Sequence, residues 1–419
     1  MSRKIIALSL ALACLFAGAL LAQAATPQTG AAHDALDYIR TLQNDDGGFP
    51  DFGSDSSAGA TLDAILAFAA AGADIDGVQK SGKSPIDYLE TQAAAYAAST
   101  PGHAAKLAAV LVAAGEDPRD FAGDDYVDMM QSNYDAATHR YGGQTLDQIL
   151  YVLARRSLDL SVSSGVVSVL KSDQLAEGCW EFDSGFGCDT NSTAMAVQAL
   201  VAAGIDPDDA SIEAALAYLK SAQNADGGFP YLVPSDSDAN STAFVLQALV
   251  AAGEDIDAGG PWERPGGRTP MEALLSFQNA STGAFTYTYA GEDNAYATYQ
   301  AVPALLLQPL LLPPSEEDEE ATKTPRPTRT PAATATATPA ATLTPMPEPI
   351  VATAPTATMS SQVLPAATSP ASLPHVLASA GEGTESDRTG PTAMAAILTA
   401  VCGCLAAGLA AYRLRRSRE

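Results

Sequence analysis

One eleven-residue phrase recurs along this chain: Ala194–Gly204 reads AMAVQALVAAG and Ala243–Gly253 reads AFVLQALVAAG. Near copies are Leu62–Gly72 (LDAILAFAAAG), Lys106–Gly115 (KLAAVLVAAG) and Leu146–Ser157 (LDQILYVLARRS). They end at Gly72, Gly115, Ser157, Gly204 and Gly253, in steps of 43, 42, 47 and 49 residues, and a diverged sixth copy runs from Ala295 to Leu310. Self-similarity at such a period means one supersecondary unit repeated, each unit burying its apolar face against the next.

Each phrase is Ala- and Leu-rich on nearly every side and closes on Gly followed by an acid, the pattern of a buried helix with a glycine stop. A more amphipathic helix precedes each one: Ala35–Gln43, Pro85–Gln92, Tyr126–Gln131, Val166–Gln174, Ile212–Gln223 and Met271–Gln278 all end in Gln. An inner apolar helix and an outer half-polar one, six times over, suit a closed ring of hairpins. The length of 419 residues alone would allow two to four domains, but the repeats make residues 30–312 a single one.

The remaining segments read as targeting and anchoring. Arg3 and Lys4, the apolar run Ile5–Leu21 and Ala22-Gln23-Ala24 have the form of a secretory signal over residues 1–24. Glu316–Glu320 opens an acidic, then Thr/Pro/Ala-rich stretch over 313–391, expected to be a disordered stalk. Thr392–Tyr412 carries no charge, long enough for one transmembrane helix, and Arg413, Arg415, Arg416 and Arg418 mark residues 413–419 as a cytoplasmic tail. The chain is therefore expected on the extracellular side of the membrane, single-pass, with its N-terminus outside. Cys179 and Cys188 are the two cysteines of the expected ectodomain and read as a disulfide; zinc binding lacks a second pair. A net charge of −27 argues against nucleic acid as partner.

After the outer helices stand Gln43-Asn-Asp-Asp-Gly47-Gly-Phe49, Gln174-Leu-Ala-Glu-Gly178-Cys-Trp180, Gln223-Asn-Ala-Asp-Gly227-Gly-Phe229 and, one residue longer, Gln278-Asn-Ala-Ser-Thr-Gly283-Ala-Phe285. This Gln-x-x-x-Gly-x-aromatic signature resembles the QW motif of the squalene–hopene cyclase and prenyltransferase β-subunit families, and the helical domain of cobalamin carriers such as transcobalamin. The resemblance covers most of residues 30–312, with the second and third repeats degenerate after Gln92 and Gln131. It implies an all-α (α/α)6 toroid. In the motif Gln can cap carbonyls at a helix end, Gly permits the tight turn and the aromatic packs between hairpins, so Phe49, Trp180, Phe229 and Phe285 are expected in the core.

The resemblance also implies that the loops after the motif and the starts of the inner helices converge on one mouth. Ligand contacts are expected there at Asp189, Asp236, Asp238, Asn240, Asp293 and Tyr296, although helix capping would account for most residues of these types. In type II cyclases an Asp-x-Asp-Asp-Thr-Ala segment starts an inner helix, and its middle acid protonates the substrate. Asp189-Thr-Asn191-Ser-Thr193-Ala and Asp238-Ala-Asn240-Ser-Thr242-Ala fit that frame, but Asn191 and Asn240 stand at the middle position, and an amide cannot deliver the proton. Asp206-Pro-Asp208-Asp209 spells the motif after an inner helix rather than before one.

The weak catalytic candidates are then Asp183 and Asp236. For zinc-dependent prenyl transfer, Glu177 and Cys179 echo two ligands, while Tyr296 and Thr298 stand where the family's His is expected; no metal site is expected from this set. Asp236-x-Asp238-x-Asn240 opens like a calcium loop but lacks the turn glycine and the closing Glu, leaving weak calcium binding as the one cofactor expectation. Phe68, Tyr151, Phe244, Tyr296 and Tyr299 are the few aromatic candidates for an inner lining. The expectation is a surface-anchored module that binds a small molecule or an extracellular polymer, with a cyclase- or prenyltransferase-type enzyme using non-standard acids as the alternative.

Overall fold

The computed structural model describes residues 25–310. The expected signal (1–24), stalk (313–391), span (392–412) and tail (413–419) lie outside these residues. Among those described, no helix is long and apolar enough to cross a membrane.

Six hairpins follow one another. Repeat 1 pairs α1 (Thr29–Leu42) with α2 (Ala58–Ala70), repeat 2 pairs α3 (Pro85–Ala97) with α4 (Pro101–Ala114), and repeat 3 pairs α5 (Tyr126–Ser132) with α6 (Thr145–Ser157). Repeat 4 pairs α7 (Ser164–Ser172) with α8 (Thr190–Ala202), repeat 5 pairs α9 (Ala210–Ala222) with α10 (Ala239–Ala251), and repeat 6 pairs α11 (Pro270–Leu275) with α12 (Ala295–Leu305). Each even-numbered helix packs on the even-numbered helices before and after it, and α12 packs on α2, so the inner six close into a ring. Their apolar character follows from that position: in α8 and α10 every residue from the first through Leu200 and Leu249 is buried. Three two-residue antiparallel pairs cross the turns: β1 (Phe49–Pro50) with β2 (Ser56–Ser57), β3 (Tyr134–Asp135) with β4 (Arg140–Tyr141), and β5 (Trp180–Glu181) with β6 (Cys188–Asp189).

Local chemistry sets the helix ends. Ser57, Thr100, Asp189, Asp238 and Asn294 each accept a first-turn N–H of the inner helix that follows, satisfying amides that have no partner inside the helix. Gly72, Gly115, Gly204 and Gly253 stop their helices in the left-handed region, which glycine enters without a Cβ penalty.

The QW glutamine does more than cap a helix end. Gln43 Nε2 donates to the Gly47 and Val78 carbonyls, Gln174 Nε2 to Gly178 and Ser211, and Gln223 Nε2 to Gly227 and Trp262. Each side chain thus ties its own turn to the next hairpin. Gln278 Nε2 donates to Gly283 O at 3.0 Å and to Ala31 O at 2.8 Å, the same joint made between the last repeat and the first. The glycine is required by that contact: Gly283 has φ +79°, and a Cβ there would lie 2.2 Å from Asp34 O. The motif aromatics Phe49, Trp180, Phe229 and Phe285 are wholly buried. Their backbone N–H groups donate to Thr61, Thr193, Thr242 and Thr298, the fourth residue of each following inner helix.

Candidate functional site: the mouth and lumen of the ring

Positions two, six and nine of each inner helix share one face, as residues spaced by four and three do. The sixth residues, Asp63, Lys106, Leu150, Met195, Phe244 and Gln300, all line one cavity at the ring's centre, together with Leu66, Gln247 and Pro303 from the ninth positions. The space open to the centre of a water-sized sphere is ≈ 40 Å³, room for about three water molecules. Lys106 Nζ lies 2.6 Å from Asp63 Oδ1, both side chains being only 8% exposed. Burial pushes the Asp63 carboxyl up, and the neighbouring ammonium works against it. One layer above, Asn240 Nδ2 donates to Gln300 Oε1 at 2.5 Å. Of the inner aromatics expected as lining, Phe244 and Tyr299 reach the cavity. Phe68 and Tyr151 are buried elsewhere in the core, where Tyr151 stacks on Tyr141 at 4.2 Å.

The structure separates the six expected ligand contacts. Asp236 is exposed and Asp293 half-buried, whereas Asp189, Asp238, Asn240 and Tyr296 are buried. Asp238 is committed to capping: Oδ1 accepts from Ser241 N at 2.8 Å, and Oδ2 from Tyr231 N at 3.0 Å and Ser241 Oγ at 2.8 Å. Asp189 Oδ1 accepts from Ser192 N at 2.6 Å. Burial pushes both carboxyls up to about 7, against the opposing pull of these hydrogen bonds. Of the residues of the expected calcium loop, Asp238 accepts from Ser241 and Tyr231, Asn240 donates to Gln300, and Asp236 is exposed. Asp183, the other acid considered for catalysis, is half-buried on the loop between β5 and β6 and does not line the cavity.

Cys179 and Cys188 form the disulfide, with Cα atoms 5.5 Å apart, in the usual range for such a bridge. It staples the base of the β5–β6 loop. Glu177 lies beside the pair, completing the one group of metal-type side chains that comes together among the described residues. The bridge takes up both thiolates that such a site would need.

The mouth has a feature absent from the list of acids. Phe52, Phe186, Val233 and Tyr289, 37–53% exposed, are all the large hydrophobic side chains left open among the described residues. Every one sits on a loop leading into an inner helix, in repeats 1, 4, 5 and 6. Phe52 packs over Tyr296 with ring centroids 5.1 Å apart, Phe186 lies 6.1 Å from Tyr231, and Tyr289 donates its hydroxyl to Asp226 Oδ2 at 2.9 Å. These loops also lean on the preceding repeat. Tyr299 OH donates to Pro50 O at 3.1 Å, Thr190 N to Tyr231 O at 3.1 Å and Ala239 N to Tyr287 O at 3.0 Å. Carboxylates lie within four residues of these side chains in sequence: Asp51, Asp183, Asp236 and Asp293. Loop aromatics carry no periodicity, so a reading based on repeats passes over them.

The model of the prenyltransferase alpha-alpha toroid domain matches residues 2–100, and that of the squalene-hopene cyclase C-terminal domain matches residues 125–258. The recurring hairpins are thus similar to these two family models, each over part of the chain. No curated protein sequence is significantly similar to the chain. Among solved structures, a type II terpene cyclase from Scytonema is similar at 13% identity and TM-score 0.46, over 67% of this chain and 97% of that one. A protein from Actinoplanes is similar at 17% identity and TM-score 0.44, over 67% and 99%. An inactive variant of an alpha-1,6-mannanase from Salegentibacter is similar at 10% identity and TM-score 0.47, over 68% and 99%.

Within this terpene cyclase-like toroid the second residues of α8 and α10 are Asn191 and Asn240, where the cyclase frame has its proton donor. Asp209, from the stretch that spells the cyclase motif, caps α9 instead. Hydrogen bonds from Lys171, 2.7 Å away, and from Ser211 hold its carboxyl down to about 2.

Proposed function

We propose that the toroid is a binding module whose mouth takes a neutral extracellular polysaccharide. The observation that carries this reading is the gathering of the large hydrophobic side chains exposed among the described residues onto loops of one end, over four consecutive repeats, with carboxylates close by in sequence. Exposed apolar patches with a polar surround mark interaction sites. Flat rings beside hydrogen-bonding acids suit sugar faces and hydroxyls. The net charge of −27 disfavours a polyanion, which selects neutral polymers over acidic ones.

The lumen supports binding over cyclisation. Pockets for ligands of drug size run to roughly 300–1,000 Å³, against ≈ 40 Å³ here, and the lining includes an ion pair rather than a continuous aromatic wall. In this reading the signal, stalk and C-terminal span inferred from the sequence would hold the module outside the cell.

The test is affinity electrophoresis of the full chain in gels containing mannan, xylan or a mixed β-glucan. Retardation by at least one polymer is expected. Phe52→Ala and Phe186→Ala should each weaken it by about tenfold, the effect of removing an aromatic anchor. Unretarded migration on every polymer, or variants retarded like the parent, would refute the reading. A cyclised product from a C20 polyprenyl substrate, detected by mass spectrometry, would establish the enzyme alternative in its place.

A further inference from the structure

The end of the ring opposite the mouth is closed by the chain itself. After α4, α8 and α10 the sequence moves into acid-bearing turns, Glu116-Asp117, Asp206 and Glu254-Asp255. After α12 it reads Leu306-Leu307-Gln308-Pro309-Leu310, and Leu306, Leu307 and Leu310 pack against the core. Leu307 takes the left-handed conformation (φ 58°) that glycine supplies at four other helix ends, and Gln308 N donates to Pro303 O at 2.9 Å. The strap that follows turns inward, and Leu310 lines the lumenal cavity.

Two side chains hold it. Gln198 and Gln247 are the ninth residues of α8 and α10, a register that Leu66, Ala109, Leu153 and Pro303 fill in the other four repeats. Both glutamines are almost wholly buried. Leu310 N donates to Gln198 Oε1 at 2.8 Å, and Gln247 Nε2 donates to Gln308 O at 2.9 Å. A buried amide in an otherwise apolar layer is unfavourable unless it is hydrogen-bonded, and here the strap's backbone supplies the bonds. Gln198 Nε2 has no partner among the described residues, so the site carries one more donor than the strap uses.

We infer that Gln198 and Gln247 form a site that reads the main chain of an apolar polypeptide segment at the closed end of the lumen, and that residues 306–310 are its occupant in cis. The two amides hold backbone groups and so are indifferent to side-chain identity. Selectivity comes from the cavity that receives Leu310. At this register the glutamines stand only in the two repeats whose inner helices hydrogen-bond the strap. This inference is independent of the reading of the mouth.

The test is hydrogen exchange followed by mass spectrometry on the full chain. In the double variant Gln198→Leu/Gln247→Leu, which restores the leucine found in repeats 1 and 3, the 306–310 amides should exchange about tenfold faster, with the amides of α8 and α10 unchanged. Strap protection equal to the parent's would overturn the inference. As a second measurement, a labelled synthetic peptide of sequence LLQPL should bind full-chain Leu310→Asp, in which a charge set against the apolar lining of the cavity displaces the strap, and not the parent. Binding should be lost when Leu310→Asp is combined with Gln198→Leu/Gln247→Leu. A folded Leu310→Asp variant that ignores the peptide would also overturn it, and if that variant does not fold the exchange measurement decides.

Discussion

Repeats 1, 4, 5 and 6 carry the QW turn, and repeats 2 and 3 do not. In the first group a glutamine at the end of the outer helix ties the turn to the next hairpin, a long loop follows, and that loop bears an exposed Phe52, Phe186, Val233 or Tyr289. In repeat 2 the outer helix α3 runs on past Gln92, and the chain passes through Thr100 straight into α4, leaving no loop. In repeat 3 the joint is rebuilt from the inner helix: Gln148 Nε2 donates to Val166 O at 3.2 Å, and Gln148 Oε1 accepts from Tyr141 N at 2.7 Å. Five of the six repeats thus carry a glutamine joint to the next hairpin, four from the outer-helix end and one from the inner helix. The exposed apolar side chains, three rings and Val233, follow the QW loops, so the mouth is lopsided and its open face lies over four contiguous repeats.

The comparison can be broken first through pH. Repeats 4 and 5 cap their inner helices with buried carboxylates, Asp189 and Asp238, where repeats 1, 2 and 6 use the neutral Ser57, Thr100 and Asn294. Burial raises both folded-state values to about 7, above the unfolded value near 4, so the folded state favours the protonated form. Their stabilisation is complete below about pH 4 and is lost as pH rises through 7, at up to about 1.4 kcal/mol per pH unit for each group. Urea unfolding at successive pH values should show this slope, and Asp189→Asn/Asp238→Asn, which keeps a good cap, should flatten it.

Next in size is Trp180→Ala. The ring is wholly buried and its Nε1 donates to Leu170 O at 2.8 Å, so a loss of about 3–5 kcal/mol in chemical denaturation is expected. Reducing Cys179–Cys188 should cost about 2–3 kcal/mol by releasing a short closed loop. Because that loop carries Phe186, polysaccharide retardation should weaken in dithiothreitol while the helical circular dichroism persists. Smaller again is Gln148→Ala, which leaves buried backbone groups unpaired and should cost about 1–3 kcal/mol. Gln92→Ala and Gln131→Ala, at the degenerate positions, should stay within about 0.5 kcal/mol of the parent by the same denaturation curves.

The ring was readable in the chain because its causes are periodic: an apolar phrase, a glycine stop and a QW turn recurring at nearly even steps. The site was readable only in part. Asp189 and Asp238 have the residue type and position of ligand contacts, and the same features make a helix cap; the structure shows the capping bonds and buries both side chains. Asn191 and Asn240 were legible as amides at the positions where the resemblance expects an acid, and the structure places both in the first turns of α8 and α10. Phe52, Phe186 and Tyr289 escaped because a loop aromatic obeys no period and nothing in its neighbours says whether it points outward. Gln148 escaped because it performs the outer-helix glutamine's task from another element. Ala295–Leu310 read as one helix, whereas α12 ends at Leu305 and the remainder crosses the lumen; the absent glycine stop and Pro309 were the available signs.

Closure of the ring is the claim on which the mouth, the lumen and the strap all depend, and Gln278→Ala tests it most directly when measured beside Gln223→Ala by equilibrium urea denaturation. Gln223 joins two neighbouring hairpins, and Gln278 makes the same bond across the seam, to Ala31 O. A closed ring predicts that the two substitutions destabilise alike, by about 1–3 kcal/mol each. A Gln278→Ala variant as stable as the parent, with Gln223→Ala destabilised, would mean an open row of hairpins and would contradict the account.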